Sequence, residues 1–155
     1  MDAIDRRIVA ALQRDGRIAN TELAERVGLS PTPCARRVAR LEAEGVITGY
    51  GARIDPVKLG LPVSIFVSVE LERQDRSAIT AFEKAVSTFA EVMECYLMTG
   101  SRDVLLRVVA ADLTAFDHFL EDRLMQVPGI RNIRSNFALR TMLQRQVLPD
   151  HPGGT

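Results

Sequence analysis

The residues that decide the fold are 16–60, GRIANTELAERVGLSPTPCARRVARLEAEGVITGYGARIDPVKLG. This stretch predicts a short helix, a tight turn and a second helix. The first helix is expected to start at Asn20 as its N-cap and to end at Gly28, where a left-handed residue is favoured. Ser30 is expected to cap the second helix, and Pro31 occupies the first helical position, where its missing N–H is no loss. The pattern is typical of a helix-turn-helix.

The second helix is predicted to have one apolar face and one basic face. At about 100° per residue, Cys34, Val38 and Leu41 fall on the apolar side. The opposite side carries the candidate DNA-binding residues, which are Ser30, Thr32, Pro33, Arg36, Arg37 and Arg40. Arginines can bind guanine edges or phosphates, and hydroxyls at a helix N-terminus suit phosphate. On an isolated helix such arginines are more often solvated and paired with Glu42 or Glu44, but the capped helix and turn before them favour double-stranded DNA as the partner.

Two flanking segments complete a small domain over 1–54. Residues 2–13 carry apolar side chains at helical spacing, which predicts a third helix that buries the backs of the other two. Residues 46–54 place β-branched side chains between glycines, which predicts a short two-stranded wing. The prolines and glycine of 55–62 predict a linker. The N-terminal domain is therefore expected to be a winged helix-turn-helix.

A second domain is predicted over 63–140, with the element order β-α-β-β-α-β. The expected strands are 63–71, 92–99, 104–110 and 130–137, and the expected helices are 76–88 and 113–124. This order is that of a ferredoxin-like fold, an antiparallel sheet with two helices on one face. The fold class of the chain is therefore α+β.

Apolar side chains point to both faces of the predicted sheet. Phe66, Leu105 and Val109 lie on the side that the two helices would leave open. An apolar face of this kind needs a partner, and a second copy of the same sheet is the simplest cover, so we expect a homodimer. The C-terminal tail is assigned to 141–155, and its residues 147–155 show no packing pattern and are expected to be mobile unless a neighbouring subunit holds them.

Composition sets limits on partners and compartment. The 155 residues have a formal net charge of 0, which is a mild argument against nucleic-acid binding. A locally basic DNA-binding helix on a near-neutral monomer would bind weakly alone, so we expect several copies to bind one DNA together. No stretch approaches the ~20 apolar residues of a membrane span, so no membrane partner is expected and the compartment is predicted to be the cytoplasm. Cys34 and Cys95 both occupy positions that suggest structural, buried thiols.

Catalytic chemistry is not indicated by the sequence. His118 is predicted on a helix surface and His151 in a tail rich in proline and glycine, and neither belongs to a nucleophile or metal-ligand motif. We therefore expect no enzyme activity, no cofactor and no metal. The alternative to a DNA-binding protein is an oligomeric module that senses a metabolite without specific DNA recognition.

Several short motifs, each occurring once, are distributed along the chain. They are Asp2-x-x-Asp5, Gly16-Arg17, Leu29-Ser30-Pro31-Thr32-Pro33-Cys34, Gly45-Val46-Ile47-x-Gly49-Tyr50, Glu94-Cys95, Gly100-x-x-Asp103 and Val127-Pro128-Gly129. Together they resemble the Lrp/AsnC family, the leucine-responsive and asparagine-responsive regulators, over about residues 2–140. The resemblance implies a bacterial or archaeal transcription factor. It also implies C-terminal dimers that assemble further, often into octamers, and that sense a small amino acid between dimers.

The resemblance further implies an effector pocket around one loop. Its candidate residues are Met98, Thr99, Gly100, Ser101, Arg102 and Asp103, with Asn136 as a weaker candidate. Gly100 would let the backbone approach the ligand, and Asp103 could attract its α-ammonium. Many relatives have an acid in place of Ser101 and an aromatic in place of Arg102. Taken without the resemblance, the same loop is explained by a hairpin turn with an exposed pair of Arg102 and Asp103.

Overall fold

The computed structural model describes residues 1–100 and 103–149. The chain divides into two compact units, one formed by Met1–Arg53 with the segment from Met142, and the other by Ile54–Thr141. Within the described ranges, no helix is long and apolar enough to cross a membrane. Ser101 and Arg102 of the predicted effector loop, and His151 of the tail, lie outside the described residues.

The N-terminal unit contains three helices, α1 Ala3–Arg14, α2 Asn20–Val27 and α3 Pro31–Ala43. α1 begins with a reciprocal capping box: Asp5 N–H donates to Asp2 Oδ1 at 2.8 Å, and Asp2 N–H donates to Asp5 Oδ2 at 2.9 Å. α2 ends at Gly28, whose φ of 75° is left-handed. The three helices pack around one core, formed by Ile8, Leu23, Ala24, Val27, Cys34 and Leu41.

Two predicted caps differ from the structure. The prediction of Asn20 as the N-cap of α2 is wrong, because Ala19 takes that position and makes no side-chain cap. Asn20 lies inside the helix, and its Nδ2 donates to the carbonyl of Pro31 at 2.9 Å. Ser30 does occupy the N-cap position of α3, but its side chain makes no capping hydrogen bond. The side chain of Asn20, which was expected to cap α2, therefore connects α2 to α3.

The two-stranded wing predicted over 46–54 is wrong, because no strand occurs between α3 and Val63 in the structure, a stretch that is described in full. The N–H groups of Val46 and Ile47 donate to the carbonyl of Leu41 at 2.9 and 3.1 Å. These amides bind the C-terminus of α3, so they cannot form a ladder with a second strand. Further along, Tyr50 Oη donates to Glu42 Oε1 at 2.8 Å.

The end of the described chain belongs to the N-terminal unit. Leu148 N–H donates to Gln13 Oε1 at 2.6 Å. A groove of ≈ 630 Å³ lies between α1, residues 46–50 and residues 146–149. The tail was expected to lack packing of its own, and this part of it contacts the first helix.

The second unit has the predicted order β-α-β-β-α-β. Its elements are β1 Val63–Leu71, α4 Arg76–Val86, β2 Val92–Leu97, β3 Val104–Ala110, α5 Leu113–Asp122, a 3-10 turn Leu124–Gln126, and β4 Ile130–Phe137. The strands form one antiparallel sheet in the order β2-β3-β1-β4. The ferredoxin-like prediction is therefore confirmed, with α4 and α5 contributing to the same core as the sheet.

The alternation along β1 separates the two faces of the sheet. Ile65, Val67 and Val69 are fully buried in the core, whereas Phe66, between them, is 37 % exposed. One expectation for a single residue is corrected: Cys95 was expected to be buried but is exposed on the edge strand β2. Val109 is only 6 % exposed, but it does not belong to the core that the sheet forms with the helices.

Candidate functional site

The outward surface of α3 is the candidate DNA-binding surface. Ser30, Thr32 and Arg36 are exposed along it, and Pro33 is half-buried beside them. In the described part of the chain, no ion pair or hydrogen bond engages the side chain of Arg36, and none caps α3 through Ser30. A free guanidinium and a free hydroxyl near a helix N-terminus are the groups that bind bases and phosphates.

Arg37 and Arg40 have a different environment, because both bind carboxylates at the start of α1. Arg37 Nη1 lies 2.6 Å from Asp2 Oδ2 and 2.8 Å from Asp5 Oδ1. Arg40 Nη2 lies 2.7 Å from Asp5 Oδ2. We call these four residues the Asp–Arg cluster. Glu44, one of the two partners considered for solvated arginines of this helix, is more distant: its Oε1 lies 3.6 Å from Arg40 Nε.

The Asp–Arg cluster is ionised at neutral pH. Hydrogen bonds from the backbone of Asp5 and from Arg37 lower the pKa of Asp2 to about 2. Burial raises the pKa of Asp5, but hydrogen bonds from Asp2 N–H and Arg37 outweigh it, so this pKa is also lowered. Hydrogen bonds to Asp2 and Asp5 raise the pKa of Arg37. The two negative charges of the carboxylates therefore balance the two positive charges of the guanidiniums within the cluster.

The sequence reasoning missed Asp5 as a partner of the recognition helix. Its side chain is 2 % exposed, so it lies on the buried side of α1 with Ile8. That position was the available signal, since a carboxylate on an apolar stripe needs a cation to remain charged. The cation comes from another helix more than thirty positions away, which helical spacing alone cannot identify.

The predicted effector region is divided by the structure into exposed and buried residues. Met98, Thr99 and Gly100 are exposed after β2, and Gly100 has a φ of 111°, a conformation that favours glycine. Asn136 is exposed on β4, opposite Phe66 of β1. Asp103, by contrast, is only 9 % exposed.

Asp103 is engaged with the backbone of the sheet. Its Oδ2 accepts the N–H of Leu71 at 2.6 Å, and its carbonyl accepts the N–H of Met98 at 2.8 Å. β1 extends beyond its last pairing with β3 at Val69 and Val104, so the side chain of Asp103 satisfies an amide that the ladder no longer reaches. The alternative explanation of the loop, a hairpin turn with Arg102 and Asp103 as an exposed pair, is wrong for Asp103, because Asp103 is only 9 % exposed.

The uncovered face of the sheet combines apolar and paired charged groups. Phe66 is 37 % and Tyr96 50 % exposed, and Leu105 is half-buried between their strands. Glu94 Oε1 accepts from Arg107 Nε at 2.7 Å, so these two charges are paired with each other. Burial of this pair against a second copy would leave neither of the two charges without a partner.

Metal chemistry has no candidate among residues 1–100 and 103–149, because no group of three or more histidine, cysteine, aspartate or glutamate side chains is placed to hold an ion.

Two family models match the chain. A winged helix-turn-helix DNA-binding model matches residues 1–48, and an Lrp/AsnC ligand-binding domain model matches residues 64–148.

Characterised relatives match over almost the whole chain. The Bkd operon transcriptional regulator of Pseudomonas aeruginosa is 45% identical over 149 residues, covering 96% of this chain and 97% of its own length. The leucine-responsive regulatory protein of Escherichia coli is 40% identical, with 93% and 88% covered.

Solved structures agree with these relatives. A transcriptional regulator of Neisseria meningitidis, solved in complex with L-methionine, has a TM-score of 0.90 at 36% identity, with 96% of each chain covered. An AsnC family regulator of Agrobacterium tumefaciens has a TM-score of 0.90 at 40% identity, with 96% and 97% covered. From the three-helix DNA-binding unit, the ligand-binding sheet and these full-length matches, we conclude that this chain belongs to the Lrp/AsnC family of DNA-binding transcriptional regulators.

Proposed function

We propose that the chain recognises specific DNA sites by inserting α3 into the major groove, with Arg36 as its principal base or phosphate contact. The observation that carries this proposal is the free guanidinium of Arg36 on the exposed side of α3. Ser30, Thr32 and Pro33 lie at the N-terminal end of the same surface, where phosphate contacts are favoured. Arg37 and Arg40 flank Arg36 but are neutralised by carboxylates.

The same proposal includes control by a small amino acid. Its support is the ligand-binding domain match over 64–148 and the names of two relatives, one leucine-responsive and one bound to L-methionine. In this chain the exposed backbone of Thr99 and Gly100 offers amides to a ligand carboxylate. Ser101, Arg102 and Asn136 complete the proposed pocket. In this proposal Asp103 supports the loop and does not contact the ligand: its side chain accepts the N–H of Leu71, and its carbonyl accepts the N–H of Met98.

The proposed assembly is a homodimer formed through the uncovered sheet face and joined into a higher oligomer, an octamer by resemblance. Dimerisation would cover Phe66, Tyr96 and Leu105 and place two copies of α3 on one DNA. The proposed compartment is the cytoplasm, where bacterial chromosomal DNA is found.

DNA recognition is tested with Arg36→Ala. Binding is measured against a site selected from a randomised DNA pool and against a random duplex of equal length, at one salt concentration. We expect a loss of about tenfold or more in affinity for the selected site, with a smaller loss on random DNA. Arg17→Ala removes the same charge from an exposed position after α1 and is the matched control. Equal affinities of wild type and Arg36→Ala for the selected site would identify a metabolite-sensing module without this mode of DNA recognition.

Amino-acid binding is tested by calorimetry with leucine, methionine and the other common amino acids. We expect heat with at least one of them in wild type and its loss in Gly100→Val, which obstructs the exposed backbone. Gly60→Val is the control, because Gly60 also has a positive φ of 76° but lies in the predicted linker. An absence of heat for wild type with every amino acid would contradict the effector proposal.

A further inference from the structure

The Asp–Arg cluster places two anions at the edge of a surface that is to meet a polyanion. α3 contains three cations, Arg36, Arg37 and Arg40. Each phosphate contact that a protein makes with a cation favours binding to any DNA sequence. A carboxylate that binds the same cation removes that contribution.

The geometry of the cluster makes Arg37, in particular, less available for contacts with phosphate. Its guanidinium is held by two carboxylates at 2.6 and 2.8 Å, and its side chain is 27 % exposed. Arg40 is 47 % exposed, but the buried carboxylate of Asp5 compensates its charge at 2.7 Å. Charge-assisted bonds of this length are the strong ones.

Asp5 is fixed in position, so it cannot leave the two arginines without a change in α1. Asp5 belongs to the core-facing side of α1, and its second oxygen also accepts the N–H of Asp2 at 2.9 Å. Asp2 is held by the reciprocal bond from Asp5 N–H at 2.8 Å. Both carboxylates are therefore fixed by the start of a helix, and DNA would have to compete with preorganised partners for the two arginines.

We propose that Asp2 and Asp5 are specificity-determining residues that neutralise Arg37 and Arg40, so that sequence-independent attraction to DNA is reduced and Arg36 dominates recognition. This inference rests on the proposed function, in which α3 is the DNA-binding helix. The two carboxylates act through the arginines and do not contact DNA. They lower the affinity for random DNA more than the affinity for a selected site.

The test uses the full-length chain with Asp2→Asn, measured on the selected site and on a random duplex over a series of salt concentrations. Asparagine caps a helix as well as aspartate, so this variant removes the charge and keeps the cap. We expect random-DNA affinity to rise about five- to tenfold near 0.1 M salt, and the slope of log K against log salt to steepen by about 0.9, as for one added phosphate contact. Asp5→Asn is expected to change both quantities in the same direction.

Two further variants make the result specific. Asp15→Asn changes net charge equally at the other end of α1, where Asp15 Oδ1 accepts Arg17 N–H, and should leave the salt slope unchanged. The double variant Asp2→Asn with Arg37→Gln should return the slope to the wild-type value. A merely structural role for Asp2 would alter urea unfolding without steepening the slope, and that outcome overturns the proposal.

Arg36→Ala, measured in parallel, separates this inference from the proposed function. If Arg36→Ala binds the selected site as wild type does, α3 is not the DNA-binding helix and the proposed function fails. If Arg36→Ala weakens binding while both aspartate variants keep the wild-type slope, the proposed function stands and only the inference about the cluster is overturned.

Discussion

Asn20 Nδ2 donates to the carbonyl oxygen of Pro31 at 2.9 Å, and this bond joins the first residue of α2 to the first residue of α3. Gly28 completes the connection by ending α2 in a left-handed conformation. The angle between the two helices of the DNA-binding unit is thus held at the turn and by a side chain that crosses it.

Asn20→Ala tests this connection. We expect the free energy of unfolding to fall by about 0.5–1.5 kcal/mol, the net contribution of a typical hydrogen bond, and DNA affinity to fall with it. Urea unfolding and DNA titration measure the two effects. Thr21→Ala, at the next and exposed position of α2, is the control. A stability equal to that of wild type would show that the bond does not hold the helices.

Asp103 variants distinguish support of the sheet from direct ligand binding. Asp103→Ala leaves the N–H of Leu71 without its acceptor, so we expect a loss of about 1–3 kcal/mol in unfolding free energy. Asp103→Asn retains an acceptor oxygen and should lose less. Urea unfolding together with amino-acid calorimetry provides the comparison. Loss of amino-acid binding in Asp103→Asn at unchanged stability would contradict the supporting role and assign Asp103 to the ligand.

Tyr50 predicts a loss of stability at alkaline pH. Burial and the hydrogen bond to Glu42 raise the pKa of Tyr50 from 10.0 to about 12. A raised pKa means that folding favours the protonated phenol, so its contribution is present below pH 10 and is lost as the pH rises from about 10 to about 12. Unfolding of wild type and Tyr50→Phe, compared at pH 8 and pH 11, measures this term. A difference between the two proteins that stays constant across this range would refute it.

Phe66 tests the proposed dimer. Phe66→Asp places an unpaired charge at the centre of the uncovered sheet face, so we expect the dimer dissociation constant to rise by about tenfold or more. Sedimentation over a range of protein concentrations measures it. Leu113→Asp adds the same charge at a 63 % exposed position on α5 and should leave the dimer intact. Equal dissociation constants for Phe66→Asp and wild type would exclude this face as the interface.

The sheet was predictable because its limits are marked locally. β1, β3 and β4 start and end where the sequence analysis placed them. Pro62 directly precedes β1, Gly129 directly precedes β4, and Asp112 follows the end of β3 by two residues. The wing was not predictable in the same way. The N–H groups of its β-branched residues, Val46 and Ile47, donate hydrogen bonds to the carbonyl of Leu41. These hydrogen bonds depend on where α3 ends and not on the composition of the segment.

The candidate sites were predictable as positions but not as chemical states. The sequence placed three arginines on the outer side of α3, and the structure distinguishes free Arg36 from paired Arg37 and Arg40. Asp103 was singled out by a motif, but its bond to Leu71 follows from where β3 ends relative to β1. Both distinctions arise from contacts between distant parts of the chain, which periodicity within one segment does not contain.

The bond between Leu148 and Gln13 joins positions separated by 135 residues. Among the residues that the structure describes, the core of the three helices is formed by residues from Ile4 to Ile47. During synthesis this core can therefore form early, since its contacts are local and helical contacts form fast. The contact at Gln13 can form only after residue 148 has been made, and every strand of the second unit precedes that residue. The DNA-binding unit can therefore begin to fold before the second unit is made, but it gains this contact only afterwards.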